Sequence, residues 1–241
     1  MSAGQSDESR IGRSGPVHLG IIMDGNRRWA AGRGLPNALG HLRGEVRLFE
    51  TIDAALAAGI PWVTVFAFST ENWSRNTSEV GAILAIIRLA MRRNRRRLHR
   101  RGVQIRWLGS DVGMPADLVD ELSEAERLTA ANDKMIFTIC VNHGGRQHVA
   151  SAIRTMSRQI AAQAMTPNDV SVATVQAHMQ WPDLPDVDLL IRTSGEMRLS
   201  NFLLWNLGSA AVYFPATLWP DFTGRELMRI IEHYRLASAP R

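Results

Sequence analysis

The stretch HLGIIMDGNRRW, residues 18–29, decides how this chain is read. An apolar run ends in Asp24, turns through Gly25 and Asn26, and passes into a helix-like segment opened by Arg27 and Arg28. Such a run, closed by turn residues, reads as a buried strand feeding a helix. That geometry brings one carboxylate, helix-start amides and two guanidiniums to a single point. The set suits a diphosphate: the Asp holds a magnesium ion while amides and arginines take the phosphate oxygens. An isolated Asp in this place would more simply begin a helix. Three further strand ends with the same kind of chemistry argue against that simpler reading.

At 241 residues the chain is long enough for a sizeable core, and its 45% hydrophobic and 21% charged shares are those of a globular protein. Basic charge is almost all Arg, with Lys134 the one Lys, a bias that genome composition explains as readily as phosphate binding. A net charge of +5 fits an anionic ligand without naming it. Cys140, the single cysteine, sits in the apolar stretch FTICVN and is expected to be a buried small hydrophobe. The polar start, residues 1–16, reads as a flexible tail with no apolar signal core, and residues 237–241 as a second tail. No uninterrupted apolar run reaches membrane-spanning length, so a cytoplasmic protein is expected.

Between the tails, residues 17–236 read as one domain. Apolar runs (HLGIIM, WVTVFAF, VQIRWLG, MIFTICVN, VDLLIRT and AAVYFP) alternate with helical stretches at residues 42–58, 78–101, 115–131, 146–164 and 170–179. This alternation predicts an α/β fold with a central, mostly parallel sheet flanked by helices, and ligands beyond the carboxyl ends of the strands. The helix from Ser78 carries an apolar face of Val80, Ile83, Leu84, Ile87 and Met91, which is either ordinary core or the wall of a hydrocarbon tunnel. Its end, RRNRRRLHRR, could meet nucleic acid or a membrane surface, but a solvated helix end complementing the helix dipole explains it better.

The second strand runs into Ser69, Thr70, Glu71, Asn72, Trp73, Ser74 and Arg75, groups that bind an anionic oxygen or relay a proton. The fifth opens into Arg192, Thr193, Ser194, Gly195, Glu196, Met197, Arg198, Leu199 and Ser200. Unpaired buried guanidiniums are costly there, so an anionic partner is expected. The fourth ends in Asn142-His143-Gly144-Gly145-Arg146, whose glycines allow close backbone approach. There is no GxxxxGK[ST] loop, no GxGxxG after a strand and no Cys/His metal cluster in the sequence.

The segments MDGNRRWA, Gly40-His41, FSTENWSR, IRTSGE-R-LSNFLLW and LWPDF resemble the cis-prenyltransferase family, whose best-known member is undecaprenyl diphosphate synthase, over about residues 18–234. The resemblance implies a parallel-sheet fold with a hydrophobic tunnel, a homodimer, and Mg2+-dependent condensation of prenyl diphosphates. By the same resemblance, Asp24 positions the metal on the allylic diphosphate. Asn26 and His41 act on that leaving group, and Gly25, Arg27, Arg28, Trp29 and Arg75 help hold it. Ser69 and Asn72 lie between the substrates where a proton departs, and Arg192, Arg198 and Ser200 cradle the second diphosphate. Contact with a membrane surface is expected only for a long product.

Six places depart from the family's usual pattern. Asn37 stands for an Arg, Arg43 for a small Ala, Asn76 for a Pro, and His143 and His148 for a Tyr and an acidic residue. Ala211 stands where a Glu supports metal and isopentenyl diphosphate binding. A buried Arg43 near the tunnel mouth is expected to bind phosphate or block the path of a growing chain. Two reactions stay open: condensation giving a short product, or irregular head-to-middle joining onto dimethylallyl diphosphate, as in lavandulyl-type enzymes. A non-catalytic partner subunit is less consistent, because Asp24, His41, Ser69, Asn72 and Arg198 are all present.

Overall fold

The computed structural model describes residues 15–238. Residues 1–14 and 239–241, and with them most of both expected tails, lie outside the described residues. In chain order the elements are β1 (His18–Ile22), α1 (Asn26–Ala31), α2 (Asn37–Ala57), β2 (Trp62–Ser69), α3 (Thr77–Arg100), β3 (Val103–Leu108), α4 (Ala116–Thr129), β4 (Met135–His143), α5 (Gly145–Ala161), α6 (Val172–Ala177), β5 (Leu189–Arg192), β6 (Ala211–Tyr213) and α7 (Gly224–Ser238). The sheet order is β3-β4-β2-β1-β5-β6, and every strand pair is parallel. All carboxyl ends therefore face one way. Register sets Ile22 beside both Phe66 and Arg192, and Ser69 beside His143, so the segments that follow β1, β2, β4 and β5 converge.

Every residue of β1 is buried, as a central parallel strand with both faces covered requires. The larger core joins Leu19, Ile21, Val63 and Val65 of the sheet to Phe49 and Ile52 of α2, Leu84 of α3, Leu122 of α4 and Ile231 of α7. The opposite side holds a smaller cluster built on Ile22, Cys140, Leu190 and Phe202. Cys140 is buried there, and burial pushes its thiol pKa well up, so it is the inert hydrophobe its surroundings in sequence suggest.

Three helices differ from the sequence expectation. α2 begins at Asn37, five residues before Leu42, with Pro36 as its N-cap. Gly40 lies inside it, which local propensity disfavours. The cause is tertiary: a Cβ at Gly40 would collide with the Asn26 carbonyl oxygen, so only glycine lets α1 and α2 approach. The sequence reading also leaves out α7, whose Leu227 and Ile231 are fully buried. α6 is shorter than residues 170–179 because a Ser171 capping box starts it late.

The basic end of α3 is largely paired inside the fold. Arg88 and Arg95 reach Asp117 and Glu121 of α4, while Arg97 and Arg101 both reach Asp53 of α2. No helix among the described residues is long and apolar enough to cross a membrane.

Candidate active site

Asp24 stands just past the end of β1, where Gly25 takes a φ of 110° and turns the chain into α1. A side chain at Gly25 would also press on Leu218 at 2.9 Å, so both conformation and space demand glycine. The Asp24 backbone is fastened to the segment after β5: its N–H donates to Thr193 Oγ1 (3.0 Å), whose hydroxyl donates to the Asp24 carbonyl (2.7 Å). The carboxylate accepts from Arg192 Nη2 at 2.8 Å and, more loosely, from Arg28 Nη2 at 3.4 Å. Partial burial pushes the Asp24 pKa up, but the hydrogen bond and charge of Arg192, with the charge of Arg28, outweigh it and hold the group below its usual range. It is ionised at neutral pH.

Arg28 extends the same network, donating to Ser194 Oγ at 2.5 Å and standing 3.5 Å from Glu196. On α2, His41 faces the cavity with its buried Nε2 lacking a hydrogen-bond partner among the described residues. Burial first, then the charges of Arg75 and Arg27, lower its pKa, with Glu79 opposing, so the ring is neutral near pH 7. Asn26 Oδ1 is likewise buried and without a partner among the described residues, in space that Gly44 leaves open. Arg27 and Arg75 both reach Glu79, at 3.6 and 3.1 Å.

The second half of the site is built around Arg192. It donates to the Arg198 carbonyl (2.6 Å) and Ser200 Oγ (2.7 Å) as well as to Asp24, while its Nε is buried without a partner among the described residues. Ser200 and Asn201 have φ values of 50° and 63°. Asn201 ties this turn down by donating to Glu71 Oε1 (2.8 Å) and Gln147 Oε1 (3.0 Å) and accepting from the N–H groups of Arg146 and Gly145. Gly144 and Gly145 do permit close approach, and what approaches is the Asn201 turn rather than a ligand. Ser69 and Asn72 form a capping box, the Ser69 N–H donating to Asn72 Oδ1 at 3.0 Å.

One cavity of about 960 Å³ joins these groups. Asp24, Gly25, Asn26, Arg27, Arg28, His41, Ser69, Asn72, Arg75, Arg192, Arg198 and Ser200 all line it, and so do Ile83, Ile87 and Met91. The apolar face of α3 is therefore cavity wall along part of its length and core along the rest. Two expected residues lie elsewhere. Trp29 donates to Asp221 Oδ1 at 2.8 Å and stacks under Arg33, bracing α1 against the turn at Trp219–Asp221. Arg43 is exposed, because the cavity face of α2 is set by His41, Gly44, Glu45 and Leu48, and the expectation of a buried Arg43 is corrected. Ala211 sits on the edge strand β6, and the cavity carboxylates are Asp24, Glu45, Glu71 and Glu196. His143 and His148 pack edge to face, 5.5 Å between ring centres, against Phe66. Glu79 has no part in the sequence reading, and Thr193, Ser194 and Asn201 enter it only within the strand end expected to meet an anion. Among the described residues no three His, Cys, Asp or Glu side chains gather as a metal cage.

Residues 22–239 match the prenyltransferase family described as undecaprenyl diphosphate synthase. The chain belongs to the cis-prenyltransferase family. It is a prenyl diphosphate synthase, a transferase of prenyl groups. It is 47% identical over 219 residues to a trans,polycis-polyprenyl diphosphate synthase of Thermobifida fusca, described as (2Z,6E)-farnesyl diphosphate specific, covering 91% of this chain and 78% of that one. It is 42% identical to the decaprenyl diphosphate synthase of Mycobacterium tuberculosis, covering 91% and 74%. A crystal structure of lavandulyl diphosphate synthase from Lavandula x intermedia, in complex with dimethylallyl diphosphate, superposes with a TM-score of 0.88 at 34% identity, covering 92% of this chain and 96% of that one.

Proposed function

We propose that this prenyl diphosphate synthase transfers an allylic prenyl group to the alkene of a second five-carbon prenyl diphosphate, giving a short-chain product. A carbon–oxygen bond breaks, a carbon–carbon bond forms, pyrophosphate leaves and one proton is lost. The observation that carries the reading is a single cavity holding polar, cationic groups on both sides of Asp24 and an apolar wall beyond them. Arg27, Arg28 and Arg75 bind the oxygens of the allylic diphosphate, and neutral His41 offers a hydrogen bond without adding charge. The prenyl tail lies along Ile83, Ile87 and Met91, where water is displaced and the alkene is the nucleophile at hand. Arg192, Arg198 and Ser200 hold the second diphosphate, and Ser69 and Asn72 take the seam where the proton leaves. Ionised Asp24 and the partnerless Asn26 Oδ1 are hard oxygen donors, which fits Mg2+ taking its other ligands from diphosphate and water. Bound there, the ion would offset the charge that builds on the departing diphosphate. The reading includes a cytoplasmic homodimer.

Product length follows from space. The cavity of about 960 Å³ must hold two diphosphates as well as the prenyl tail, which favours a short chain. Mass analysis of products from dimethylallyl, geranyl and farnesyl diphosphates, each with and without isopentenyl diphosphate, tests the reading. Short-chain products that require isopentenyl diphosphate are expected, and a fifty-carbon product would overturn the length. The irregular reading draws on the lavandulyl enzyme's fold and on Ala211 in place of a carboxylate. Condensation of dimethylallyl diphosphate alone would put it in place of the regular one.

A further inference from the structure

The β1–β5 ladder ends where Ile22 faces Arg192, and Asp24 lies beyond it. Past that point the Thr193 N–H still reaches the Ile22 carbonyl at 3.3 Å and the Trp219 N–H reaches the Asp24 carbonyl at 3.0 Å, and the Thr193 side chain adds the link between the β5 end and Asp24. Thr193 is completely buried, and its hydroxyl uses both of its capacities on Asp24, accepting from the N–H at 3.0 Å and donating to the carbonyl at 2.7 Å. A carbonyl oxygen can only accept and an amide N–H can only donate, so a single side-chain atom that serves both must belong to a hydroxyl. The flanking residues hold the other ends of the same element. Arg192 binds the Asp24 carboxylate, while Ser194, at a φ of 81° that non-glycine residues rarely adopt, binds Arg28. Three consecutive residues thus grip the acid's side chain, its peptide, and the arginine four residues on.

We infer that Thr193 is a positioning residue for Asp24, setting the direction in which the carboxylate meets a metal-bound diphosphate. The inference rests on the proposed role of Asp24. Outer partners of metal-ligating groups commonly contribute about 10- to 100-fold in metal affinity or activity. Thr193→Val keeps the shape and removes the hydroxyl. Thr193→Ser keeps the hydroxyl and removes a methyl, and Thr193→Ala removes both.

The test is calorimetric titration of full-length protein with the thiolo analogue of dimethylallyl diphosphate, in which sulfur replaces the scissile oxygen, over a series of Mg2+ concentrations. Thr193→Val and Thr193→Ala are expected to raise the Mg2+ concentration for half-maximal binding about tenfold or more. Thr193→Ser should stay within about twofold of wild type by the same measure. Should Thr193→Val not fold, the Ser and Ala variants carry the comparison, since both lose the methyl and only Ala loses the hydroxyl. Equal Mg2+ dependence of the Ser and Ala variants would overturn the inference. Failure of the wild type to bind the analogue in a Mg2+-dependent way would instead overturn the assignment of Asp24.

Discussion

Arg192 Nη2 lies 2.8 Å from Asp24 Oδ2 while Nη1 of the same guanidinium lies 2.7 Å from Ser200 Oγ, so one side chain stands in both halves of the site. The Arg192 side chain is only 4% exposed, and its charge is compensated by Asp24 at 27%. In the proposed function a metal-bound diphosphate at Asp24 would compete for the oxygen that Arg192 now holds, and Nη2 would then be free for the second diphosphate. On the proposed function, loading of the first site is expected to favour loading of the second.

Substitutions at Arg192 test this sharing. Arg192→Ala leaves Asp24 without its main counter-charge and the 198–201 turn without its anchor. Loss of kcat/KM by about 100-fold or more is expected, the magnitude found for removing a preorganised charge donor. Arg192→Lys keeps a charge but lacks the two-pronged fork, so it should recover less than a tenth of the lost activity. Steady-state kinetics with the second diphosphate varied at fixed allylic diphosphate measures both, and wild-type KM in Arg192→Ala would remove Arg192 from the second site.

Stability should fall steeply with mild acid. Burial lowers the pKa of His18 to about 4 and that of His143 to about 3, the neighbouring His148 adding to the latter. Both rings stay neutral in the fold but gain a proton in the unfolded chain below its pKa of about 6.5. Their contribution is therefore complete above pH 6.5 and is lost as pH falls from there toward the folded values. Each group removes about 1.4 kcal/mol per pH unit inside that window. Urea midpoints should drop between pH 6.5 and 4.5, and His143→Phe should flatten the slope by about half of the two-histidine effect. An unchanged slope in that variant would show that His143 does not titrate on unfolding.

What was legible in the sequence was local. The β1–Asp24–Gly25 turn, the polar strand ends and the apolar face of α3 each sit within one contiguous segment, and their chemistry follows from residue type and spacing. What stayed hidden depends on partners far along the chain. Thr193 meets Asp24 across 169 positions and Asn201 meets Glu71 across 130, so neither pairing leaves a local trace. The expectation of a buried Arg43 rests on its place in the family pattern, two residues after His41, whereas the structure puts it on the exposed side of α2. With the helix running from Asn37, His41, Gly44 and Glu45 mark its inner side and leave Arg43 outside. Gly40 reads as a helix breaker until the Asn26 carbonyl beside it is known.

The α3 wall offers a direct handle on product length. Ile87 is buried and lines the cavity about one helical turn beyond Ile83. Ile87→Trp adds volume toward empty space rather than into close-packed core, so the melting temperature should move less than the 1–3 kcal/mol typical of overpacking implies. Turnover with dimethylallyl diphosphate should persist while geranyl and farnesyl diphosphates become poor substrates. Unchanged use of farnesyl diphosphate would mean that the tail does not run along α3.

Glu79 pairs with both Arg27 and Arg75, at 3.6 and 3.1 Å, and also raises the pKa of His41 against the two arginines. The carboxylate is a scaffold for cations that must be ready before the diphosphate arrives. Glu79→Gln removes the charge but keeps the shape, so both guanidiniums gain rotamers that substrate binding must then freeze at about 0.5–1.5 kcal/mol per side chain. KM for the allylic diphosphate should rise several-fold and become more sensitive to salt, as exposed, unpaired cations are screened more readily. The His41 pKa moves further down, so the ring stays neutral and kcat near pH 7 should change little. A fall in KM would mean that Glu79 repels substrate rather than preparing its site, and kinetics at two ionic strengths separates the two outcomes.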